Sequence, residues 1–434
     1  MRGPPVVLTN TLGRPVTNVI SGAVPMVVVN TLGEPVTLVA QGGEPVTLFN
    51  ADGTAYGDLA RLIALSPSLL IWPAEGAGWQ GTSGGTLAAS GQPLGLGADL
   101  SQLGGKTLSE WLATAPELVT ASAETPANWT QTNGTLTFSA GVWTFTNTTA
   151  SDQRAQFSIT VPNNTLCVFS AEVLSPSSNT TVNAGRIAAV GYTDTASNGV
   201  ATAEDVWQPI NLVVRSTSTT FNIFLECATS GAWGSNGDFA RFRNLSVKTV
   251  AGNHLRAGTW ASPSDSARGM FQNNAINFDG VNDYYSLLNA ISITTNMTVV
   301  RAFKRASAGI SAVGLNTTAG GPGDFVWFGS DNGRANQMNN FVLTAAVSTA
   351  GGSFVTSSRR NATTQSIRQN GADVALNSAT AGTVTGSVSL LGRFSTLYNS
   401  GEISFVAVFP SELTGADLAL VEQIAASTNG TTLA

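Results

Sequence analysis

Five prolines, Pro5, Pro15, Pro25, Pro35 and Pro45, stand ten residues apart at the start of the chain, each followed by Val or Met. The decads read PVVLTNTLGR, PVTNVISGAV, PMVVVNTLGE, PVTLVAQGGE and PVTLFNADGT, so each joins a β-branched run to a turn. A fixed short period marks a repeated structural unit. Proline donates no backbone hydrogen bond and suits the first position of a strand. The Val/Thr runs favour extended backbone, and Gly13, Gly33, Gly43 and Gly53 supply turns. Asn10, Asn30 and Asn50 recur every twenty residues, which pairs the decads as up-and-down strands. Strands this short cannot bury a core alone. Two readings stay open. One is a small β-meander packed on the domain that follows. The other is a symmetric oligomer, a trimer favoured, in which copies complete one another's sheets as a stalk or anchor.

A chain of 434 residues predicts two to four domains. Only 11% of it is charged, 46 residues are Gly and 42% are hydrophobic, which describes a β-rich folded chain and not a disordered one. A net charge of −6 with dispersed Lys and Arg leaves no electrostatic footprint for nucleic acid. No apolar run reaches the length of a membrane span; Leu69 to Trp72 is closed by Pro73. The first residues lack the apolar stretch of a secretory signal. The expectation is therefore assembly in a host cytoplasm, release by lysis and a place on a virus-particle surface. Cys167 and Cys227 sit in strand-like runs and are expected as buried free thiols.

After the repeats (1–56), residues 57–105 read as a connector. It holds one short helix from Asp58 to Leu65, stopped by Pro67, and then strands and turns. A second helix is expected from Thr107 to Thr114, capped by Thr107 or Ser109. From about 118 to 250 short apolar/polar alternations recur at 136–139, 142–145, 155–159, 167–173, 207–214, 221–227 and 239–247. That spacing fits a two-sheet jelly roll over 106–250. Ala127-Asn128-Trp129 near its start and Phe239 to Val247 as a closing strand resemble the galactose-binding-like carbohydrate-binding modules.

Residues 251–434 are β again until a final helix. The run Ile276 to Leu287, INFDGVNDYYSL, resembles the opening signature of concanavalin A-like lectin, or laminin-G-like, domains. Ser366 to Val374 resembles the hairpin of that family with an Asn-Gly turn. Leu390 to Arg393 and Gly401 to Phe409 resemble its paired closing strands. The last helix is expected within Ser411 to Ile424, with Ser411 and Thr414 as capping choices and Leu413, Leu420 and Ile424 packing. The resemblance to phage structural proteins with this domain implies that segment 69–105 supplies early strands, so that 106–250 is inserted into an early loop. Three domains in series stay open. The expected fold class is all-β: decapeptide repeats of short strands, a jelly-roll sandwich, a concanavalin A-like sandwich and a few short helices.

Few residues offer chemistry. His254 is the only histidine, in a Gly-Asn connector, so sites built on several histidines are excluded and a hydrogen-bonding role is expected. No phosphate loop, dinucleotide fingerprint or HExxH occurs. Glycoside hydrolysis needs two carboxylates, yet 253–434 contains no Glu-x-Asp-x-Glu strand, and Glu172 and Glu226 read as isolated. No catalytic residue, cofactor or metal is expected, and Asp279 and Asp283 are assigned to a turn rather than to Ca²⁺.

Sugar binding has the better case. A pyranose packs its C–H face on an aromatic ring while its hydroxyls take polar partners. The candidates are Trp233 and Tyr192 in turn-rich loops, Asp324 and Trp327, Asn336, and Tyr398 on a hairpin. For Trp143, Trp207 and Trp327 a core position is the competing reading. The expected function is a non-enzymatic phage-type virion appendage, a head fibre, spike or tail fibre, that binds host surface glycan. Its partners would be virion proteins and sister chains through the repeats. A decoration protein without a sugar site and a glycan depolymerase are the alternatives.

Overall fold

A computed structural model describes residues 8–9, 15–16, 48–49, 55–56, 58–81, 84–190, 198–259, 264–292, 295–305, 315–316, 326–331, 334–338, 341–346, 352–377, 387–391, 393–394, 397–398 and 400–434. The chain divides into two compact units, Met1–Leu65 and Ser66–Ala434. In the first, Leu8–Thr9 pairs antiparallel with Pro15–Val16, and Leu48–Phe49 pairs with Ala55–Tyr56. Pro15 opens its strand, where its missing N–H is tolerated. The other four prolines of the repeat lie outside the described residues. Helix α1 (Asp58–Ala64) carries an Asp58–Arg61 ion pair at 3.0 Å and buries Leu59 and Leu62.

The second unit is all-β, built from two sandwiches. One sheet of the jelly roll runs in the order Thr130–Thr132, Arg154–Thr160, Thr220–Glu226, Arg186–Val190, Asn198–Val200. The facing layer runs Gly134–Ser139, Val142–Asn147, Phe239–Val250, Leu166–Leu174, Gln208–Arg215. Every pairing is antiparallel, and alternate residues fill one core: Phe145, Phe169 and Phe242 from one layer, Ile187, Phe221 and Leu225 from the other. Trp129 and Trp143 close its end, each donating its indole N–H to the Ala123 carbonyl at 2.7 and 3.2 Å. Cys167 and Cys227 are free thiols inside this core, and burial pushes both up to about 12. They are inert at neutral pH.

The second sandwich draws strands from both sides of the jelly roll in the chain. Leu69–Ile71, Gln92–Pro93 and Leu96–Gly97 pair with Ser400–Phe409, Met270–Gln272 and Leu255–Ala257 respectively. Leu69, Ile71, Leu94, Phe278, Tyr285, Phe303 and Val406 share its core. The long layers of the two sandwiches join edge to edge, with Leu212 opposite Gly84, into one twelve-stranded sheet. Helix α2 (Pro73–Gly76) is a single turn in a stretch read as strands and turns; Pro73 is preorganised for the first helical position. Helix α3 (Leu108–Thr114) starts with a capping box: Glu110 N–H donates to Thr107 Oγ1 at 3.2 Å, and Thr107 N–H to Glu110 Oε2 at 2.8 Å.

The Asp279–Asp283 segment is a turn. Asp279 Oδ1 accepts the N–H groups of Val281 and Asn282 at 2.7 and 3.3 Å, and Asp283 Oδ2 accepts that of Asp279 at 2.9 Å. Burial, and then the charge of Asp279, push Asp283 up to about 6. Helix α4 (Gly415–Asn429) starts after Thr414, the second of the two capping choices, whose side chain makes no cap hydrogen bond. Thr298 Oγ1 holds the preceding residues extended, donating to the Ser411 carbonyl at 3.0 Å and accepting from Leu413 N at 2.8 Å. Within α4, buried Glu422 accepts from Ser357 Oγ at 2.6 Å and Arg368 Nε at 2.9 Å. Among the described residues no helix is long and apolar enough to cross a membrane.

The chain enters and leaves the jelly roll at one polar knot. Buried Asp99 accepts Leu70 N at 2.8 Å, Ser101 N and Oγ at 2.9 Å each, and Asn253 N. His254 Nδ1 accepts Asp99 N–H at 3.2 Å and its Nε2 donates to the Val250 carbonyl at 3.0 Å, which sets a neutral tautomer. Gly252 has φ +135°, and a Cβ there would sit 3.0 Å from the Asp99 carbonyl oxygen. Only glycine fits so close a crossing.

Candidate functional site

The outer face of the five-stranded jelly-roll sheet carries the best-built constellation. Alternation sends Leu225 and Ile187 inward and leaves Glu226 and its cross-strand partner Arg186 outside, with Phe224 opposite Ala188 and Gln156. Arg186 Nε donates to Glu226 Oε2, and its NH1 donates to the Thr229 carbonyl at 2.8 Å. The fixed guanidinium lies 4.8 Å from the centroid of the half-buried Trp233 ring. A cation over an indole face is attracted by the ring quadrupole and holds the ring in place. Glu226 is buried, which raises its pKa against the pull of Arg186 and, more weakly, Arg154. Arg154 in turn lies 5.3 Å over Phe224.

The loop that presents Trp233 is tied at both ends. Ala228 and Trp233 form an antiparallel bridge, and Gly234 N–H donates to the Cys227 carbonyl at 2.9 Å. At the loop base Asp238 Oδ1 accepts Thr180 N and Oγ1 at 2.7 and 2.9 Å, while Oδ2 accepts Thr181 N and Ser235 N at 3.0 and 2.8 Å. Burial alone would raise this carboxyl's pKa, but the four bonds hold it below its usual value. The result is a half-buried ring held on the Arg186–Glu226 pair.

Comparison with known proteins adds little to this geometry. No family model matches the chain, and no curated protein matches it. Among solved structures, a CBM4 module shares 10% identity at TM-score 0.23, over 31% of this chain and 95% of its own. A heptameric SAP-like pentraxin from Limulus polyphemus shares 14% at 0.27, over 36% and 82%. The Trypanosoma rangeli sialidase in complex with sialic acid shares 8% at 0.32, over 69% and 63%. At such scores none of these carries a functional argument.

Of the residues singled out in the sequence, Trp233 alone has a described side chain at this site. Tyr192 and Asp324 lie outside the described residues. Trp327, Asn336 and Tyr398 fall in the strands Val326–Asp331, Arg334–Met338 and Leu397–Tyr398, their side chains outside the description. Trp143 is a core residue. Trp207 is not: it is half-exposed, stacked on Arg243 from outside the other sheet. Glu172 and Glu226 are not isolated either, because strand pairing sets each opposite an arginine far away in sequence. Arg154, Gln156, Arg186 and Phe224 belong to no motif; their one sequence signal is their outward parity on strands whose inward set is apolar. A concavity of about 350 Å³ beside the end of α4 is lined by Asn273, Lys304, Glu402 and Asn429 among others and by no aromatic ring. Among the described residues no three His, Cys, Asp or Glu side chains come together to hold a metal.

Proposed function

We infer that this chain is a non-enzymatic appendage of a phage-like particle, of the head-fibre, spike or tail-fibre kind, that attaches to host surface glycan through its jelly roll. The observation that carries the glycan part is Trp233, a half-buried indole laid on Arg186, which Glu226 holds. The guanidinium charge is already met by Glu226, so the platform suits a neutral pyranose, whose C–H face stacks on the ring while its hydroxyls find polar groups around it. The appendage part rests on the proline-spaced decads, a low-charge β-rich composition and two sandwich modules behind the repeats. In this reading the repeats hold virion proteins or sister chains, as a trimer, and several weak sugar sites act together by avidity.

The test uses the full chain on immobilised host-envelope polysaccharide. Wild-type protein should be retained and release no reducing ends, and Trp233→Ala should lose retention at least tenfold while melting at the wild-type temperature. Retention that ignores Trp233→Ala would overturn the site. Release of reducing ends would overturn the non-enzymatic reading.

A further inference from the structure

The jelly roll builds the same device twice, on opposite faces. On its second layer Glu172 stands directly opposite Arg243, as Glu226 does opposite Arg186 on the first. Arg243 Nε donates to Glu172 Oε2, and Asn244 Nδ2 reaches the same oxygen at 2.9 Å. The Arg243 guanidinium lies 4.3 Å from the centroid of the Trp207 ring, against 4.8 Å for Arg186 and Trp233. Neighbouring Val173 and Phe242 belong to the core, so Glu172 and Arg243 point away from it. Each face thus presents an indole seated on an arginine that a glutamate from the adjoining strand holds.

The geometry bears on what would bind. Glu172 already neutralises Arg243, which leaves little net charge to recruit an anion. Glu172 Oε1 and Asn244 Oδ1 accept no hydrogen bond from a described residue, and both suit sugar hydroxyl donors. The second pair is wetter than the first: Arg243 and Glu172 side chains are 39% and 30% exposed, against 13% and 5% for Arg186 and Glu226. Charged hydrogen bonds weaken in water, so the second platform holds its ring less tightly.

We propose that Trp207, with Glu172 and Asn244, is a second stacking site for a neutral pyranoside, on the face opposite Trp233, so that one chain engages two glycan chains. This rests on the glycan-binding reading of the Trp233 face. The consequence is bivalency within a single chain, separate from any valency that oligomerisation adds.

Titration of the full chain with neutral hexaoses of glucose, galactose, mannose and N-acetylglucosamine tests it by stoichiometry. Wild type should bind two hexaoses per chain, the second at least threefold more weakly; Trp207→Ala and Trp233→Ala should bind one each, and the double variant none. Trp207→Phe, which keeps a ring on Arg243, guards against a folding defect. It should still bind two, with the weaker affinity lowered further, and it assigns the Trp207 indole N–H resonance, which should move on hexaose addition. One hexaose per wild-type chain, lost in Trp233→Ala and kept in Trp207→Ala, would overturn the second site and leave the first standing. One hexaose lost only in Trp207→Ala would sustain the second site and overturn the Trp233 reading. Preference for a sulfated hexaose over the neutral set would overturn the assigned ligand class at both.

Discussion

Asp238 touches no proposed ligand, yet it governs the loop that carries Trp233. Replacing it with Ala strips the acceptor from Thr180, Thr181 and Ser235 together. Bonds to a charged group are individually strong, so urea unfolding of Asp238→Ala should show a loss of about 3 kcal/mol, with glycan retention falling alongside. The pH dependence has a definite sign. This carboxyl is held below its usual value, so its stabilisation is complete above about pH 4 and drains away as pH falls further. Asp238→Asn should flatten that acid limb in unfolding curves taken from pH 5 to pH 2. Trp233 was legible in the sequence because an aromatic ring in a stretch of Gly, Ser, Asn and Asp has no helix or strand face to hide in. Its arginine was not. Arg186 reaches Trp233 only through register, since pairing sets Arg186 opposite Glu226 and the loop folds back from there.

Elements were more legible than contacts. Period-two alternation fixed most jelly-roll strands, because inward residues such as Phe221, Ile223 and Leu225 must all reach one core. The short strands Thr130–Thr132 and Asn198–Val200 offered too few alternations to be seen. Helix α3 was readable from its cap, and Thr107→Ala should cost about 1 kcal/mol in chemical unfolding by removing the Glu110 N–H acceptor. Helix α4 was readable as a helix with two possible starts, and a tertiary bond from Thr298 holds Ser411 to Leu413 extended, which leaves Thr414 as the cap. Its buried Glu422 clamps the hairpin through Arg368. Glu422→Ala would leave Arg368 with less compensation in a partly buried place, and we expect a loss of about 3 kcal/mol with faster amide exchange in Gln365–Gln369. Glu422→Gln, which can still accept from Ser357, should lose less.

At the scale of the second unit, one twelve-stranded sheet and one polar knot join the sandwiches. Calorimetry of the wild type should therefore show this unit melting in one transition, and Asp99→Ala should split it in two as the sandwiches unfold separately. Acid should act at the same place. Burial lowers the pKa of His254, against the attraction of Asp99, so the folded state disfavours its proton. The stabilisation is complete above the free imidazole value near 6.5 and is lost as pH falls below it. His254 was readable as a hydrogen-bonded connector residue, but nothing local announced that Asp99, so distant in the chain, would be its partner. The knot also has a mechanical side. A pull that parts the jelly roll from the second sandwich loads two backbone segments that leave from one point, so each carries part of the tension. Neither can be drawn out until the bonds of Asp99 give way, which makes that carboxylate the bolt of the joint.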